Sequence, residues 1–226
     1  MTKRDTFAVT AIGLEVGILF QPIIFNLWGD ISGALARSGM SFPQAAVQVV
    51  ALVGFTVLAP AALFILSVLS KKVAILFQFG KFAAVGSSNA FVDIGLLNLS
   101  MLIFGLSKGD PKFAVTATST ALIATVNSFL WNKFWTFEAG KSADKTWVEL
   151  AKFYAVTGTA AVVNGSVTYF AVNYLAAEGG SLEVWANVAK IIGIFSALFI
   201  NFIGYKFFVF KQSGTPPPSA TLPAQG

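Results

Sequence analysis

The sequence predicts an all-α integral membrane protein, and three observations carry this prediction. Of the 226 residues, 56% are hydrophobic and only 11% are charged, whereas a soluble domain has about 25% charged residues. Six apolar stretches approach or exceed the roughly 20 residues that a membrane-spanning helix needs. Lysine and arginine gather at the ends of these stretches rather than on one face, which argues against a nucleic-acid partner.

The six stretches are predicted as helices in chain order. They are Phe7–Trp28, Val47–Leu69, Phe82–Phe104, Phe113–Trp135, Phe153–Leu175 and Trp185–Phe210. The first is the weakest, because Glu15 and Gln21-Pro22 interrupt it, so a kinked or interfacial segment stays an alternative to a full crossing. The segment "GDISGALARSGMSFPQ" is predicted as a loop, and the Pro-rich residues 212–226 are predicted to be disordered.

Orientation follows from the basic residues. With the N-terminus in the cytoplasm and six crossings, eleven of the fifteen lysines and arginines fall on the inner side. The positive-inside rule therefore predicts that both termini lie in the cytoplasm. If the first segment does not cross, the N-terminus moves outside and the other five crossings keep their directions.

An internal repeat organises the second half of the chain. "KFAAVGSSNAFVD" at Lys81–Asp93 matches "KFYAVTGTAAVVN" 71 residues later, and "NKFWTF" at Asn132–Phe137 matches "YKFFVF" 73 residues later. Each unit is a two-helix hairpin that begins with Lys-Phe and ends with Lys-Phe-aromatic-x-Phe. Since each unit crosses twice, the two hairpins are predicted to be parallel and to form a four-helix bundle, with one or two extra N-terminal membrane helices.

This organisation predicts three segments: an N-terminal extension at 1–78, a repeat domain at 79–211 with repeats at about 79–140 and 150–211, and the tail. The repeat places four lysines at one depth near the cytoplasmic interface: Lys81, Lys133, Lys152 and Lys206. They either anchor the helix ends by snorkelling or bind an anionic headgroup, to which each lysine contributes about 1 kcal/mol.

Polar residues inside the apolar stretches form a second group of candidates. They are Asn89, Asp93, Asn132, Asn164, Asn187, Lys190 and Asn201. Such residues either join helices by hydrogen bonds of about 0.6 kcal/mol each or line a path for a polar substrate. For Asp93, Lys190 and Asn201 we favour the second interpretation. Amides and hydroxyls with few charges suit a neutral, hydroxyl-rich group such as a sugar.

The chain contains no cysteine and no histidine, and it shows no nucleotide-binding or nucleophile motif. We therefore expect no cofactor, no metal and no enzymatic activity, because no nucleophile–base pair is evident.

The Lys-Phe start with Ala-Val and Asp93, together with the endings "SFLWNKFWTF" and "NFIGYKFFVF", resembles the GtrA-like family over about Phe79–Lys211. Members of that family are small four-helix membrane proteins of polyprenyl-phosphate sugar pathways. The two endings look like the family's signature, Asn-Phe-x-x-x-Arg/Lys-x-aromatic-x-Phe. The first copy departs from it, since Ser128 stands where the second copy has Asn201. The resemblance implies a polyprenyl-phosphate-linked monosaccharide as ligand and a bacterial cytoplasmic membrane as location.

The leading hypothesis is therefore a flippase for that lipid, serving cell-surface polysaccharide synthesis or glycan modification. Lys133 and Lys206 would hold the phosphate with Lys81 and Lys152 assisting, and Lys190 would receive it near the outer face. The asparagines and Asp93 would line the path of the sugar. Alternatives are a scaffold that recruits a membrane glycosyltransferase through the N-terminal helices, and a small-solute or cation transporter prompted by Glu15 and Asp93. Four short helices enclose little volume, so a homodimer is also considered.

Overall fold

The computed structural model describes residues 1–106, 111–139, 144–171, 174 and 182–210, without the side chains of 72, 74, 114, 182–187 and 190. All regular secondary structure in these ranges is helical, which confirms the predicted all-α class. The chain forms two compact units, Met1–Glu138 and Ala139–Gly226. The N-terminal extension and the first repeat therefore share one compact unit. The parallel arrangement of the two hairpins stays a prediction, and the tail at 212–226 lies outside the described residues.

The described part of each unit is built from helices. The first unit contains α1 (Lys3–Asn26), α2 (Trp28–Arg37), α3 (Gln44–Leu69), a 3₁₀ turn (Ser70–Lys72), α4 (Ala74–Phe104), α5 (Lys112–Trp131) and a π-helical turn (Asn132–Thr136). The second contains α6 (Thr146–Phe170), α7 (Leu182–Gly204) and a π-helical turn (Tyr205–Val209).

Several boundaries differ from the prediction; α6, for example, begins at Thr146 rather than Phe153. The predicted loop after the first helix contains α2, whose apolar residues Trp28, Ile31 and Leu35 recur at helical spacing among glycines and polar residues. Helix α4 begins at Ala74 rather than Phe82, because the apolar residues that follow Lys72 continue the helical run. Lys81 consequently lies in the second turn of a 31-residue helix and not at its start.

Four of the described helices are long and apolar enough to cross a membrane, judged by length and composition. They are Lys3–Asn26, Gln44–Leu69, Ile75–Phe104 and Ile191–Val209. Helices α5 and α6 have 20 and 25 residues and carry more threonine and serine. Helix α3 buries only Leu63, and its large apolar side chains point outward, as expected of a helix that faces lipid.

Helix α1 is the centre of the first unit, where it contacts both α3 and α4. A Cβ at Gly13 would lie 2.5 Å from the Phe55 carbonyl oxygen, so only glycine permits this approach of α1 to α3. The helix continues through Pro22, and Glu15 accepts a 3.0 Å hydrogen bond from Ser88 on α4. Glu15 thus has a partner on a neighbouring helix, and the proline does not end α1.

The directions of α1, α3 and α4 show which of their ends lie together. Helix α1 is antiparallel to α3, since Gly13 meets Phe55 while Gly17 meets Leu52. It is parallel to α4, since Lys81 meets Asp5 and Gly95 meets Leu19. One end of this unit therefore collects the start of α1, the end of α3 and the first turns of α4.

Candidate functional site

Both repeats end in a π-helical turn. The Phe137 amide donates to the Asn132 carbonyl oxygen at 2.9 Å, and the Phe210 amide donates to the Tyr205 carbonyl oxygen at 2.8 Å. Each bond spans five residues, and such turns are frequent at functional sites. The repeated Lys-Phe-aromatic sequence is therefore also a repeated backbone geometry, which sequence periodicity alone does not reveal.

The lysine of each π-helical turn has the same aromatic surroundings. Lys133 Nζ lies 5.8 Å from the centre of the Phe129 ring and 5.7 Å from that of Phe134. Lys206 Nζ lies 5.8 Å and 5.6 Å from the rings of Phe202 and Phe207, which are the equivalent residues. These distances permit cation–π attraction, which strengthens when the cation is desolvated. Lys133 is buried and Lys206 is half-buried, so both are partly withdrawn from water.

The first lysine of each repeat is paired with a carboxylate. Lys81 Nζ lies 2.5 Å from Asp5 Oδ1, and Lys152 Nζ lies 2.5 Å from Asp144 Oδ2. An aromatic ring of the π-helical turn lies beside each ammonium group, at 5.6 Å for Trp135 and 5.4 Å for Phe208. Two carboxylates from different parts of the chain thus make the same contact.

Asp5 belongs to a buried network that the sequence analysis missed. One of its oxygens accepts from Trp135 Nε1 at 3.2 Å and pairs with Lys81. The other accepts from the Thr2 amide at 2.9 Å and the Thr2 hydroxyl at 2.8 Å. The Thr-x-x-Asp spacing before an apolar run is a capping-box signal that could have drawn attention to this residue. Trp135 is consequently buried within the first unit.

Further contacts attach the start of α1 to the end of the first repeat. The Arg4 guanidinium donates to the Phe134 carbonyl oxygen, and Glu138 Oε1 lies 3.8 Å from Arg4 and 3.7 Å from Lys81 Nζ. The N-terminal helix is therefore joined to the lysine end of the first hairpin by several charged contacts, of which the Asp5–Lys81 pair is the most buried.

Each hairpin also closes with an equivalent aromatic contact. The rings of Phe82 and Phe137 are 6.3 Å apart and inclined by 55°, and those of Phe153 and Phe210 are 6.2 Å apart and inclined by 54°. The repeats differ about one helical turn before this contact. The second stacks Tyr205 on Phe153 at 4.0 Å, whereas the first has Asn132, which donates to the Ser128 carbonyl oxygen at 2.9 Å.

The intramembrane acid of the first repeat is hydrogen-bonded across its hairpin. Asp93 Oδ1 accepts from the Thr120 hydroxyl at 2.8 Å. The equivalent pair in the second repeat is Asn164 and Gly193, where a Cβ on the glycine would lie 2.4 Å from Asn164 Oδ1. The same position therefore serves as a polar contact in one hairpin and as a close helix approach in the other.

Four asparagines keep a buried amide atom without a hydrogen-bond partner among the described residues. They are Oδ1 of Asn89, Asn132 and Asn201 and Nδ2 of Asn127. Burying such an atom unpaired costs about 1–3 kcal/mol, so these positions are suited to a ligand that supplies the missing partner. Asn127 was not among the predicted site residues. It lies on α5, and Asn89 lies on α4.

The structure describes fewer contacts for the remaining predicted residues. Asn164 Oδ1 accepts from the Thr168 hydroxyl at 3.4 Å. The side chains of Asn187 and Lys190 lie outside the described residues, so their predicted roles stay predictions. Within the described ranges, no group of three or more acidic residues stands close enough to hold a metal ion.

The fold and this site define an all-α membrane protein with two copies of a helical hairpin. Each copy ends in a π-helical turn that carries a lysine. A family model described as GtrA/DPMS, transmembrane domain, matches residues 81–210. The chain belongs to this family, as its sequence resemblance indicated. It is also similar to YngA of Bacillus subtilis (strain 168), described as an uncharacterized membrane protein, with 27% identity over 134 residues, 59% of this chain and 80% of that protein. No solved structure matches the chain.

Proposed function

We propose that this protein translocates a polyprenyl-phosphate-linked monosaccharide across the bacterial cytoplasmic membrane, with both termini in the cytoplasm. The observation that carries the proposal is the duplicated lysine site: two π-helical turns hold Lys133 and Lys206 over equivalent pairs of phenylalanine rings at closely similar distances. Anchoring by snorkelling requires only a flexible lysine near a helix end, and it gives no reason for the same aromatic setting in both copies.

In this proposal the two kinds of lysine have different tasks. Lys133 and Lys206 each bind phosphate at the end of their own hairpin, because partly desolvated ammonium groups attract an anion more strongly than solvated ones do. Lys81 and Lys152 assist as positioning residues, since the carboxylates of Asp5 and Asp144, 2.5 Å from their ammonium groups, fix their positions. They hold the start of each hairpin beside the π-helical turn.

The sugar is proposed to follow the amides within the hairpins. Asn89 and Asn127 lie between the Phe82–Phe137 contact at one end of the first hairpin and the Asp93–Thr120 contact further along. Asn201 occupies the corresponding stretch of the second hairpin. Their unpaired amide atoms match the donors and acceptors of sugar hydroxyl groups, which would lower the cost of moving those hydroxyls through a region without water.

Transport by purified protein in proteoliposomes tests this proposal. The probe is a short-chain polyprenyl-phosphate sugar, and the measured quantity is the fraction that reaches the opposite leaflet with time. We expect the double variant Lys133→Ala/Lys206→Ala to slow transfer at least tenfold, because it removes both proposed phosphate ligands. Lys133→Arg/Lys206→Arg keeps both charges and should retain more transfer than the alanine variant.

Arg37→Ala is the matched control, since this exposed cation lies at the end of α2, away from the lysine end of the unit. It should transfer lipid at the rate of the unaltered protein. Unchanged transfer by a folded alanine double variant would refute the assignment of the phosphate site. No transfer by the unaltered protein, together with co-purification of a glycosyltransferase, would instead favour the scaffold hypothesis.

A further inference from the structure

The first unit contains an apolar cavity that the proposed phosphate and sugar sites do not use. It has a volume of about 390 Å³ and lies between α1, α3 and α4. Small residues widen it, chiefly Ala59, Ala62, Ala83 and Ala84. At about 30 Å³ per water molecule, this space equals roughly a dozen waters. Most of the residues that line the cavity precede residue 81, where the match to the family model begins.

The lining makes the cavity unsuitable for water. Of the residues around it, only Ser87 and Ser88 are polar, and the Ser88 hydroxyl is already donated to Glu15. Apolar cavities stay dry because water needs two to four polar partners. An occupant must therefore be a hydrocarbon.

The cavity is an elongated slot with a closed inner end. On α4 its lining runs from Gly80 to Phe91, which corresponds to about 16 Å at 1.5 Å per residue. Three rings close the end near Phe91: Phe55 lies 5.3 Å from Phe20 and 5.3 Å from Phe91. The opening lies along the exposed residues Leu58, Ala62 and Ser87, so the slot is entered sideways from the bilayer.

The opposite end of the slot is positively charged. Gly80 and Leu66 line it there, and these residues stand at the end of the unit that collects the start of α1 and the end of α3. Exposed cations at that end are Lys3, Arg4 and Lys71. Exposed Glu138 also lies at this end, 3.8 Å from Arg4, and Asp5 is paired with Lys81, so Lys3 and Lys71 leave the charge of the described side chains there positive. The surroundings therefore match a hydrocarbon chain that carries an anionic group at its end.

We propose that this slot holds the phosphate-proximal part of a single isoprenoid chain, with the phosphate at the basic end, as a binding position separate from those at Lys133 and Lys206. A polyprenyl phosphate has one chain attached directly to its phosphate, which suits a slot with one charged end, whereas a glycerophospholipid carries two chains on one headgroup. The identity of the lipid rests on the proposed function. The slot itself is defined by the cavity and by the charge at its end.

Photo-cross-linking of the full-length protein in nanodiscs tests the proposal. The probe is geranylgeranyl phosphate with a diazirine on its chain, and labelled residues are identified by mass spectrometry. We expect labels on the slot residues of α3 and α4. Ala62→Phe should reduce this labelling at least fivefold, because the ring would block the opening. Ala61→Phe is the matched control, since Ala61 is the exposed neighbour on the same helix and does not line the slot.

Ala83→Phe provides a second blocked variant from the other wall, and both blocked variants are checked for folding by gel filtration. Equal labelling of Ala62→Phe and Ala61→Phe would overturn the proposal, and so would displacement of the probe by excess phosphatidylglycerol as readily as by unlabelled polyprenyl phosphate. The two proposals are separable, because Lys133→Ala/Lys206→Ala should lose transfer and keep slot labelling. Slot labelling without any transfer by the unaltered protein would support the slot and contradict the transport function.

Discussion

At the scale of single residues, the two carboxylate–lysine pairs share one geometry and differ in burial. The Asp5–Lys81 pair has side chains that are 5% and 8% exposed, whereas Asp144 and Lys152 are 40% and 29% exposed. Removing one partner from a buried pair leaves an uncompensated charge, but the same change at an exposed pair leaves a solvated lysine. The equal distances therefore do not imply equal contributions to stability.

Asp5→Asn should destabilise the protein more than Asp144→Asn. Breaking a buried pair costs about 3–5 kcal/mol, and since Glu138 lies 3.7 Å from Lys81 Nζ, we expect about 2 kcal/mol, or about 4–8 °C in Tm. Asp144→Asn should cost about 0–1 kcal/mol. Thermal unfolding in detergent measures both variants side by side. An equal fall in Tm would show that burial does not distinguish the two pairs.

At the scale of helices, glycines set how closely the elements approach. A Cβ on Gly95 of α4 would lie 2.4 Å from the Leu19 carbonyl oxygen of α1, while a Cβ on Gly86 of the same helix would meet nothing within 4 Å. The contact at Gly95 involves backbone atoms, which cannot move without shifting a helix. Gly86 and Gly95 thus have different roles in one helix.

Gly95→Ala should destabilise the first unit, by about 1–3 kcal/mol as in other overpacked contacts. Gly86→Ala should be neutral or slightly stabilising, because alanine favours the helix by up to about 1 kcal/mol. The Tm of each purified variant gives the comparison, with the unaltered protein as reference. A tolerated Gly95→Ala would mean that α1 and α4 are less closely packed than this structure shows.

At the scale of the whole molecule, charge predicts the orientation. Lys3, Arg4, Lys71 and Lys81 lie at one end of the first unit, and this excess of positive charge is typical of the cytoplasmic side. Ser38, beyond α2, lies at the opposite end. Both Lys71 and Ser38 are exposed, so they are suitable reporters.

Cysteine labelling can test this orientation without background, because the chain contains no cysteine. In intact cells a membrane-impermeant maleimide should label Ser38→Cys and should reach Lys71→Cys only after permeabilisation. The unaltered chain is the control and should take up no label. The reverse pattern would place the lysine end outside and contradict entry of the phosphate from the cytoplasmic leaflet.

Much of the fold and part of the candidate site were predictable from local patterns. The apolar run lengths gave the six long helices, and the repeated Lys-Phe sequences gave Lys133 and Lys206 as equivalent residues. Asp5, Asn127 and the apolar cavity were missed. Asp5 lies 76 positions from Lys81, and no periodicity links two residues whose contact depends on helix packing. Asp93 was identified as an intramembrane acid, but its Thr120 partner follows only from the side-by-side placement of α4 and α5.

The sequence by itself determined the membrane class, the duplicated hairpin and the family, because run length, charge placement and repeated motifs are local properties of the chain. Tertiary structure decided which lysines are paired with carboxylates, which asparagines keep unpaired amide atoms, and where small side chains leave a cavity. These features arise where helices distant in the chain approach each other. Their geometry depends on backbone direction and side-chain volume at each crossing, which the linear pattern does not contain.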